Sequence, residues 1–198
     1  MKNTFLGFYQ SSEQCFIKHP PLPIRIDGKD YKIYGGSCWT PVVEDADTYV
    51  GFDQGQKVMP YNDIDKIPEN IHFFIEDMFV PHSKKELDVL LHAIANRLKE
   101  GKKVHIGCIG GHGRTGLVLT ALVATYMPEV NALKYVREAY CKHAVETLQQ
   151  EHWLENNYGV DLELPKHQKK ANHVKAGVKI TQKTTIESSE IPQHLRIL

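Results

Sequence analysis

One segment, residues 104–116, constrains the fold of this chain more than any other. It reads VHIGCIGGHGRTG: it begins as a β-strand, passes through a loop that contains Gly110, Gly111 and Gly113, and continues into an apolar helix from Arg114. Glycines let backbone N–H groups converge without side-chain obstruction, and the amino end of a helix adds free amides and a positive dipole. The segment therefore predicts a strand–loop–helix unit that binds a tetrahedral anion such as phosphate.

The reactive side chains of this segment are Cys108 and Arg114. The positive field of the loop favours the thiolate of Cys108, which is the nucleophilic form of cysteine. Arg114 can bend back over the loop and hold two phosphate oxygens through its planar fork. Thr115 can donate its hydroxyl to the sulfur when the sulfur later leaves. The residues expected to bind the substrate are Ile109, Gly110, Gly111, His112, Gly113 and Arg114. Of these, His112 is expected to face solvent.

The rest of the pattern predicts an α/β fold with a central, mostly parallel sheet flanked by helices. Stretches rich in Val, Ile, Tyr and Phe predict strands at 24–26, 31–34, 48–52, 71–75 and 103–109, with Asp27-Gly28 as a hairpin turn. Periodic apolar residues and caps predict helices at 84–99, 114–126, 131–142 and 146–156. The first of these helices has Ser83 as its N-cap and Gly101 just past its end. Strand 71–75, helix 84–99 and strand 103–109 form a strand–helix–strand unit, which implies parallel strands.

Length and composition predict one domain followed by a basic extension. The chain has 198 residues, no net charge and 41% hydrophobic residues, which is enough apolar material for one core. No apolar run approaches the ~18 residues of a membrane span, and the N-terminus has no signal-peptide pattern, so we expect a soluble cytoplasmic protein. We predict a domain over residues 1–164 and a Lys-rich C-terminal extension over 165–198, in which residues 166–183 carry six Lys and no acid.

Three segments resemble the cysteine-dependent protein tyrosine phosphatase superfamily, and more closely its dual-specificity branch. Cys108-x5-Arg114-Thr115 matches the signature C-x5-R-[ST]. Residues 71–81, IHFFIEDMFVP, are similar to the branch's segment that carries the general acid, which places that acid at Asp77. Residues 144–150, AVETLQQ, are similar to a third segment, in which Gln150 takes the place of a glutamine beside the hydrolytic water. Glu76 and Asp63 are competing carboxylates for the role of the acid.

The resemblance implies a two-step hydrolysis in which Cys108 attacks phosphorus, forms a phosphocysteine and is released by water. One position departs from the family: Gly107 stands where a histidine usually precedes the nucleophile, and His105 is too far along the strand to replace it. The four cysteines show no CxxC spacing. Cys38 and Cys141 are expected to be buried thiols rather than disulfide partners of Cys108.

We therefore expect a phosphatase that hydrolyses phosphotyrosine, phosphoserine or phosphothreonine of proteins. The alternatives are an RNA 5′-triphosphatase or another hydrolase of non-protein phosphates, and a phosphate-recognition module with weak catalysis. Inositol phospholipid ranks low, because residues 109–113 contain no Lys for additional phosphates. No metal or organic cofactor is implied. Expected partners are a phosphorylated protein or a small phosphoester, with nucleic acid less favoured and membrane excluded, and we expect a monomer.

Overall fold

A computed structural model describes residues 19–54 and 67–162 of the chain. Within this part, five strands form one sheet: β1 (Leu22–Ile26), β2 (Lys29–Ser37), β3 (Thr48–Gly51), β4 (Glu69–His72) and β5 (Val104–Cys108), in the order β1-β2-β5-β3-β4. β1 and β2 are antiparallel across the Asp27-Gly28 turn, with Ile26 opposite Lys29. The other three pairs are parallel. The predicted α/β fold with a mostly parallel sheet is confirmed.

Several predictions concern residues outside the described ranges: the domain boundary at 164, the C-terminal extension, Cys15 and Asp63.

Four helices of the described residues accompany the sheet: α1 (Lys84–Lys99), α2 (Gly113–Tyr126), α3 (Ala132–Ala139) and α4 (Leu148–Tyr158). Helix α1 agrees with the sequence prediction at both ends, because the Ser83 side chain accepts a hydrogen bond from the Glu86 amide and Gly101 lies just past the last turn. Its buried face contains Leu87, Leu90, Leu91, Ile94 and Leu98. None of the helices in the described ranges is long and apolar enough to cross a membrane.

Some predicted boundaries were wrong by a few residues. Helix α3 ends at Ala139 rather than near 142, where the amides of Tyr140 and Cys141 share the carbonyl of Val136. Helix α4 begins at Leu148 rather than 146, since Thr147 is its N-cap. Strand β4 covers 69–72 rather than 71–75, although Phe73 and Ile75 still donate hydrogen bonds to carbonyls at the end of β3. Beyond β4, the chain turns so that the Ile75 carbonyl reaches Arg114.

The sheet topology fixes where a site can form. β5 lies between β2 and β3 and runs parallel to both, with Ser37 opposite Cys108 and Gly51 opposite Gly107. The carboxyl ends of these three strands therefore share one edge of the sheet, which is the edge where parallel α/β folds bind ligands. Helix α2, buried from Gly113 to Val123, starts at the same edge and contacts α1, α3 and α4.

Candidate active site

Cys108 is the last residue of β5, and the loop that follows it curls back over its sulfur. Its side chain is buried, and the Gly111 amide donates a hydrogen bond to Sγ over 3.2 Å. Gly111 has a φ of +78°, and a Cβ there would come within 2.8 Å of the backbone of Gly36, so this tight turn requires glycine. Loops that lead from a strand into the amino end of a helix direct backbone N–H donors toward bound anions.

Arg114 is held over this loop by one side of its guanidinium. Nη1 donates to the carbonyl of Ile75 (3.0 Å), to Oδ1 of Asp53 (3.2 Å) and more weakly to the carbonyl of Phe52 (3.5 Å). The side chain is fully buried, and its Nε has no hydrogen-bond partner among the described residues. A buried donor without a protein partner costs free energy unless a water or a ligand accepts from it.

Asp77 lies in the loop that follows β4, on the other side of Arg114. Its Oδ1 is 2.9 Å from Nη2 of Arg114, and about two thirds of its side chain is exposed. Met78, the next residue, has a φ of +65°, a backbone conformation that is rare for residues other than Gly and Asn. Strained backbone of this kind is concentrated at functional loops. The structure thus brings the predicted nucleophile, arginine and acid into one site.

Thr115 and Gln150 adjoin the same loop. Oγ1 of Thr115 accepts a hydrogen bond from the Cys108 amide over 2.9 Å, which leaves its proton for another acceptor. Gln150 is fully buried, and its Oε1 accepts from the amides of Glu146 (3.0 Å) and Thr147 (3.4 Å) as part of the N-terminal cap of α4. Its Nε2 donates to the Phe79 carbonyl over 3.1 Å. Gln150 therefore connects α4 to the loop that contains Asp77. Its role beside the hydrolytic water stays a prediction.

The expectation that His112 faces solvent was wrong. Its side chain is 4% exposed, because it turns inward as the first residue before α2. Its ring meets that of His19 edge to face, with centroids 5.0 Å apart, and His19 stacks on Tyr140 at 4.6 Å. Burial and the neighbouring His112 lower the pKa of His19 to about 4. The Tyr140 hydroxyl in turn donates to the Gly111 carbonyl over 2.6 Å, so these aromatic rings support the loop from inside.

Comparison of sequences gives distant relatives, and no protein-family model matches the chain. An uncharacterised protein of Methanocaldococcus jannaschii is 42% identical over 89 residues, which are 45% of this chain and 58% of that protein. A protein of Invertebrate iridescent virus 6, named as a candidate tyrosine phosphatase, is 28% identical over 144 residues, which are 72% of this chain and 46% of that protein. The chain spans about half the length of the curated relatives it matches.

Solved structures decide the relationship. A crystal structure described as Tk-PTP in the active form is 29% identical, with a TM-score of 0.50 over 69% of this chain and 96% of that one. The resemblance to the protein tyrosine phosphatase superfamily is confirmed. Human DUSP28 is 16% identical and shares the fold, with a TM-score of 0.52 over 71% of this chain and 95% of that one. Cys108, Arg114 and Thr115, which match the phosphatase signature in the sequence, are residues of the site described above.

The structure explains why this phosphatase-like loop has Gly107 before the nucleophile. A Cβ at 107 would lie 2.7 Å from the Cys38 amide nitrogen and 2.8 Å from the Gly36 carbonyl oxygen. Those atoms belong to backbone paired with β5, so no histidine fits without moving β2. His105 does not replace it, because its ring is buried against Tyr49 with centroids 5.7 Å apart. Burial also lowers the pKa of His105 to about 4, so it is neutral at physiological pH.

Asp53 also contacts Arg114 in this phosphatase-like site, and the sequence analysis did not predict it. It follows the carboxyl end of β3, and its carboxylate helps to fix Nη1 of Arg114. The signal was present, since polar residues directly after parallel strands meet at one edge of the sheet. Cys38 and Cys141 are buried, as expected, and neither forms a disulfide bond within the part of the chain that the structure describes. Burial, with Asp53 and Cys108 nearby, raises the pKa of Cys38 to about 11.

Proposed function

We propose that the chain is a phosphatase that hydrolyses phosphate monoesters through a phosphocysteine intermediate at Cys108. The observation that carries this proposal is the orientation of Arg114. Three protein acceptors hold Nη1, whereas Nε is buried without a partner among the described residues, and Nη2 contacts the exposed carboxylate of Asp77. The adjacent Nε–H and Nη2–H form the edge that binds two oxygens of a phosphoryl group.

The proposed reaction begins when the substrate's phosphoryl oxygens take the Nε and Nη2 edge of Arg114 and the amides of the loop. Binding there displaces Asp77 from Nη2 and leaves its carboxyl group free to act as the general acid. The Cys108 thiolate then attacks phosphorus in line, while Asp77 gives its proton to the leaving oxygen. Water then attacks the phosphocysteine and gives a proton back to Asp77, which breaks the S–P bond, releases inorganic phosphate and regenerates the thiolate. Thr115, already bonded to the Cys108 amide, is placed to stabilise the departing sulfur.

We further propose that the substrate is a phosphorylated protein segment with apolar neighbours. Large exposed apolar side chains lie on several segments that border the site: Trp39, Met78, Phe79, Ile109 and Leu148. Ile109 follows the nucleophile, Met78 and Phe79 follow the acid, and the Thr147 hydroxyl holds the Met78 carbonyl beside Leu148. Such a rim favours apolar peptide side chains over the additional phosphates of an inositol lipid or a 5′-triphosphate.

The test is a turnover panel with the full chain and its Cys108→Ser variant. The panel holds phosphotyrosine and phosphothreonine peptides, each with apolar or acidic flanks, together with inositol phospholipid and 5′-triphosphate RNA. We expect the highest kcat/KM for peptides with apolar flanks. Rapid quenching during turnover of a phosphate-labelled substrate should leave label on the wild-type protein and none on Cys108→Ser, because a serine hydroxyl is far less ionised.

Three results would contradict the proposal. Tight binding of phosphopeptide by the wild-type protein without release of phosphate would indicate a recognition module. Preference for triphosphate RNA would indicate an RNA 5′-triphosphatase. Normal turnover by folded Cys108→Ser, with an unchanged thermal unfolding curve, would exclude the covalent intermediate.

A further inference from the structure

Beside the anion loop, three side chains from distant parts of the sequence meet in the interior. They are His19, before β1, His112, within the loop, and Cys141, after α3. Their ligand-type atoms, two imidazole nitrogens and a thiol sulfur, all lie within 4.8 Å of one another. Each of the three residues is no more than 5% exposed. The proposed phosphatase reaction uses none of these atoms.

We propose that His19, His112 and Cys141 form a binding site for a zinc ion. Imidazole and thiolate are the ligands that Zn²⁺ prefers, whereas Mg²⁺ and Ca²⁺ require oxygen ligands. With bonds of ~2.0–2.3 Å, a tetrahedral zinc keeps its ligand atoms roughly 3.3–3.8 Å apart. A group within 4.8 Å therefore needs only small side-chain rotations to reach this geometry.

The three side chains supply three of the four ligands of a tetrahedral ion, and a water molecule completes the set. Binding replaces the S–H bond of Cys141 with a Zn–S bond and releases the proton to solvent, while both imidazoles bind in their neutral form. No electron is transferred. Zinc is redox-inert, and the effect proposed for it here is to hold the three side chains together.

The ion would join three segments that are distant in the sequence: the residues before β1, the anion loop and the end of α3. His112 lies between Cys108 and Arg114, so a bond to its ring fixes the anion loop from the inner side. Tyr140, adjacent to Cys141, stacks on His19 and donates to the Gly111 carbonyl, which connects the same cluster to the loop a second time. With no side chain at Gly107 to support the loop, this cluster is its buried support.

The test measures metal directly, in a background without the catalytic thiol. Full-length Cys108→Ser protein is stripped with chelator, loaded with Zn²⁺, desalted and analysed for zinc content by mass spectrometry. A parallel sample is loaded with Co²⁺, whose bond to a thiolate gives a charge-transfer band in the near ultraviolet. We expect about one zinc per chain, a cobalt–thiolate band, and a higher Tm with zinc than without it.

Variants assign the ligands. Cys141→Ser in the same background should lose the cobalt–thiolate band, and His19→Gln and His112→Gln should lose zinc during desalting. Cys38→Ser and His152→Gln are matched controls outside the cluster and should retain both signals. If the parent protein takes up no zinc, or if Cys141→Ser keeps the band and the zinc, the proposal is wrong. Because every readout is taken in Cys108→Ser, the result is independent of whether the chain is a phosphatase.

Discussion

Arg114 shows how one side chain is divided between the protein and its ligand. Nη1 is fixed by Asp53 and by backbone carbonyls, so the orientation of the opposite edge is determined before substrate binds. Pre-organised donors of this kind require no rearrangement as charge develops in the transition state. A lysine could supply the charge but not two parallel N–H groups and an anchor.

We therefore predict that Arg114→Lys lowers kcat/KM by on the order of 10²–10³-fold or more. The measurement is steady-state kinetics with an aryl phosphate, with circular dichroism to verify folding. Arg97→Lys is the matched control, since Arg97 forms a partly buried ion pair with Glu69 away from the site. Near-normal kcat/KM in Arg114→Lys would mean that Arg114 does not bind the transferring phosphoryl group.

Asp77 supplies the second prediction at this scale. Asp77→Asn cannot give a proton, so hydrolysis of alkyl phosphates such as phosphoserine should slow by roughly 10²–10⁴-fold. Aryl phosphates, whose leaving groups need less protonation, should slow much less. The ratio of kcat/KM for the two substrates checks this, with Glu76→Gln as the control on the neighbouring carboxylate. Equal slowing of both substrates by Asp77→Asn would indicate a structural role.

Helix α4 connects the acid loop to the rest of the molecule through its first turn. Thr147 caps the helix by accepting from the Gln150 amide over 3.1 Å, and its hydroxyl also donates to the Met78 carbonyl over 3.3 Å. Gln150 adds the bond to the Phe79 carbonyl. One cap thus stabilises the helix and positions the segment that carries Asp77.

Thr147→Ala should reduce stability by about 1 kcal/mol, the usual cost of losing an N-cap. It should also lower kcat for alkyl phosphates more than for aryl phosphates, because the acid loop loses an anchor. Asn131→Ala is the matched control. The Asn131 side chain is the N-cap of α3, where it accepts a hydrogen bond from the Lys134 amide, far from the acid loop. Denaturant unfolding and the alkyl-to-aryl rate ratio measure both effects, and a ratio equally changed in Asn131→Ala would contradict this account.

Elements with local signals could be predicted from sequence, and those shaped by tertiary contacts could not. Helix α1 was predicted at both ends because its caps and its apolar face are encoded within about twenty residues. The predicted range of strand β4 was wrong because the segment after the strand leaves the sheet, where the Ile75 carbonyl accepts a hydrogen bond from Arg114. The ends of α3 and α4 depend on bonds that a periodic pattern does not specify.

The candidate site follows the same division. Cys108, Arg114 and Thr115 share one contiguous motif, and Asp77 came from a second recognisable segment. Asp53 was missed because its contact with Arg114 spans 61 residues of sequence. The burial of His112 was also missed, since the His19 ring that covers it comes from the start of the described chain. The proposed zinc site was also not predicted, because its three ligand residues lie far apart in the sequence and share no regular spacing.

Charge is unevenly distributed over the whole molecule. Residues 165–198 carry seven Lys and Arg against two Glu, a net charge of +5, so in a chain of zero net charge residues 1–164 carry −5. A basic segment of this kind raises the affinity for polyanions by releasing counterions. It lacks the interleaved aromatic residues on which single-stranded bases stack.

We predict that removing residues 165–198 leaves the hydrolysis of aryl phosphates and phosphopeptides unchanged, because Cys108, Arg114 and Asp77 all lie upstream. A full-length variant with the six lysines of 166–183 changed to Gln is the control that retains chain length. RNA binding measured at several salt concentrations should be weak in all three proteins. A steep salt dependence in the full chain that both variants lose would instead identify an RNA-binding arm.

Before substrate arrives, Asp77 is an internal competitor for the anion site, 2.9 Å from Nη2 of Arg114. A short tether gives such a group an effective concentration in about the millimolar range. Chloride and bicarbonate, with a single charge each, must compete with a carboxylate that is always present. A phosphate monoester brings two charges and three terminal oxygens, and can contact Nε, Nη2 and the loop amides together. In the proposed mechanism, Asp77 therefore makes the site select anions by their charge before any bond is broken.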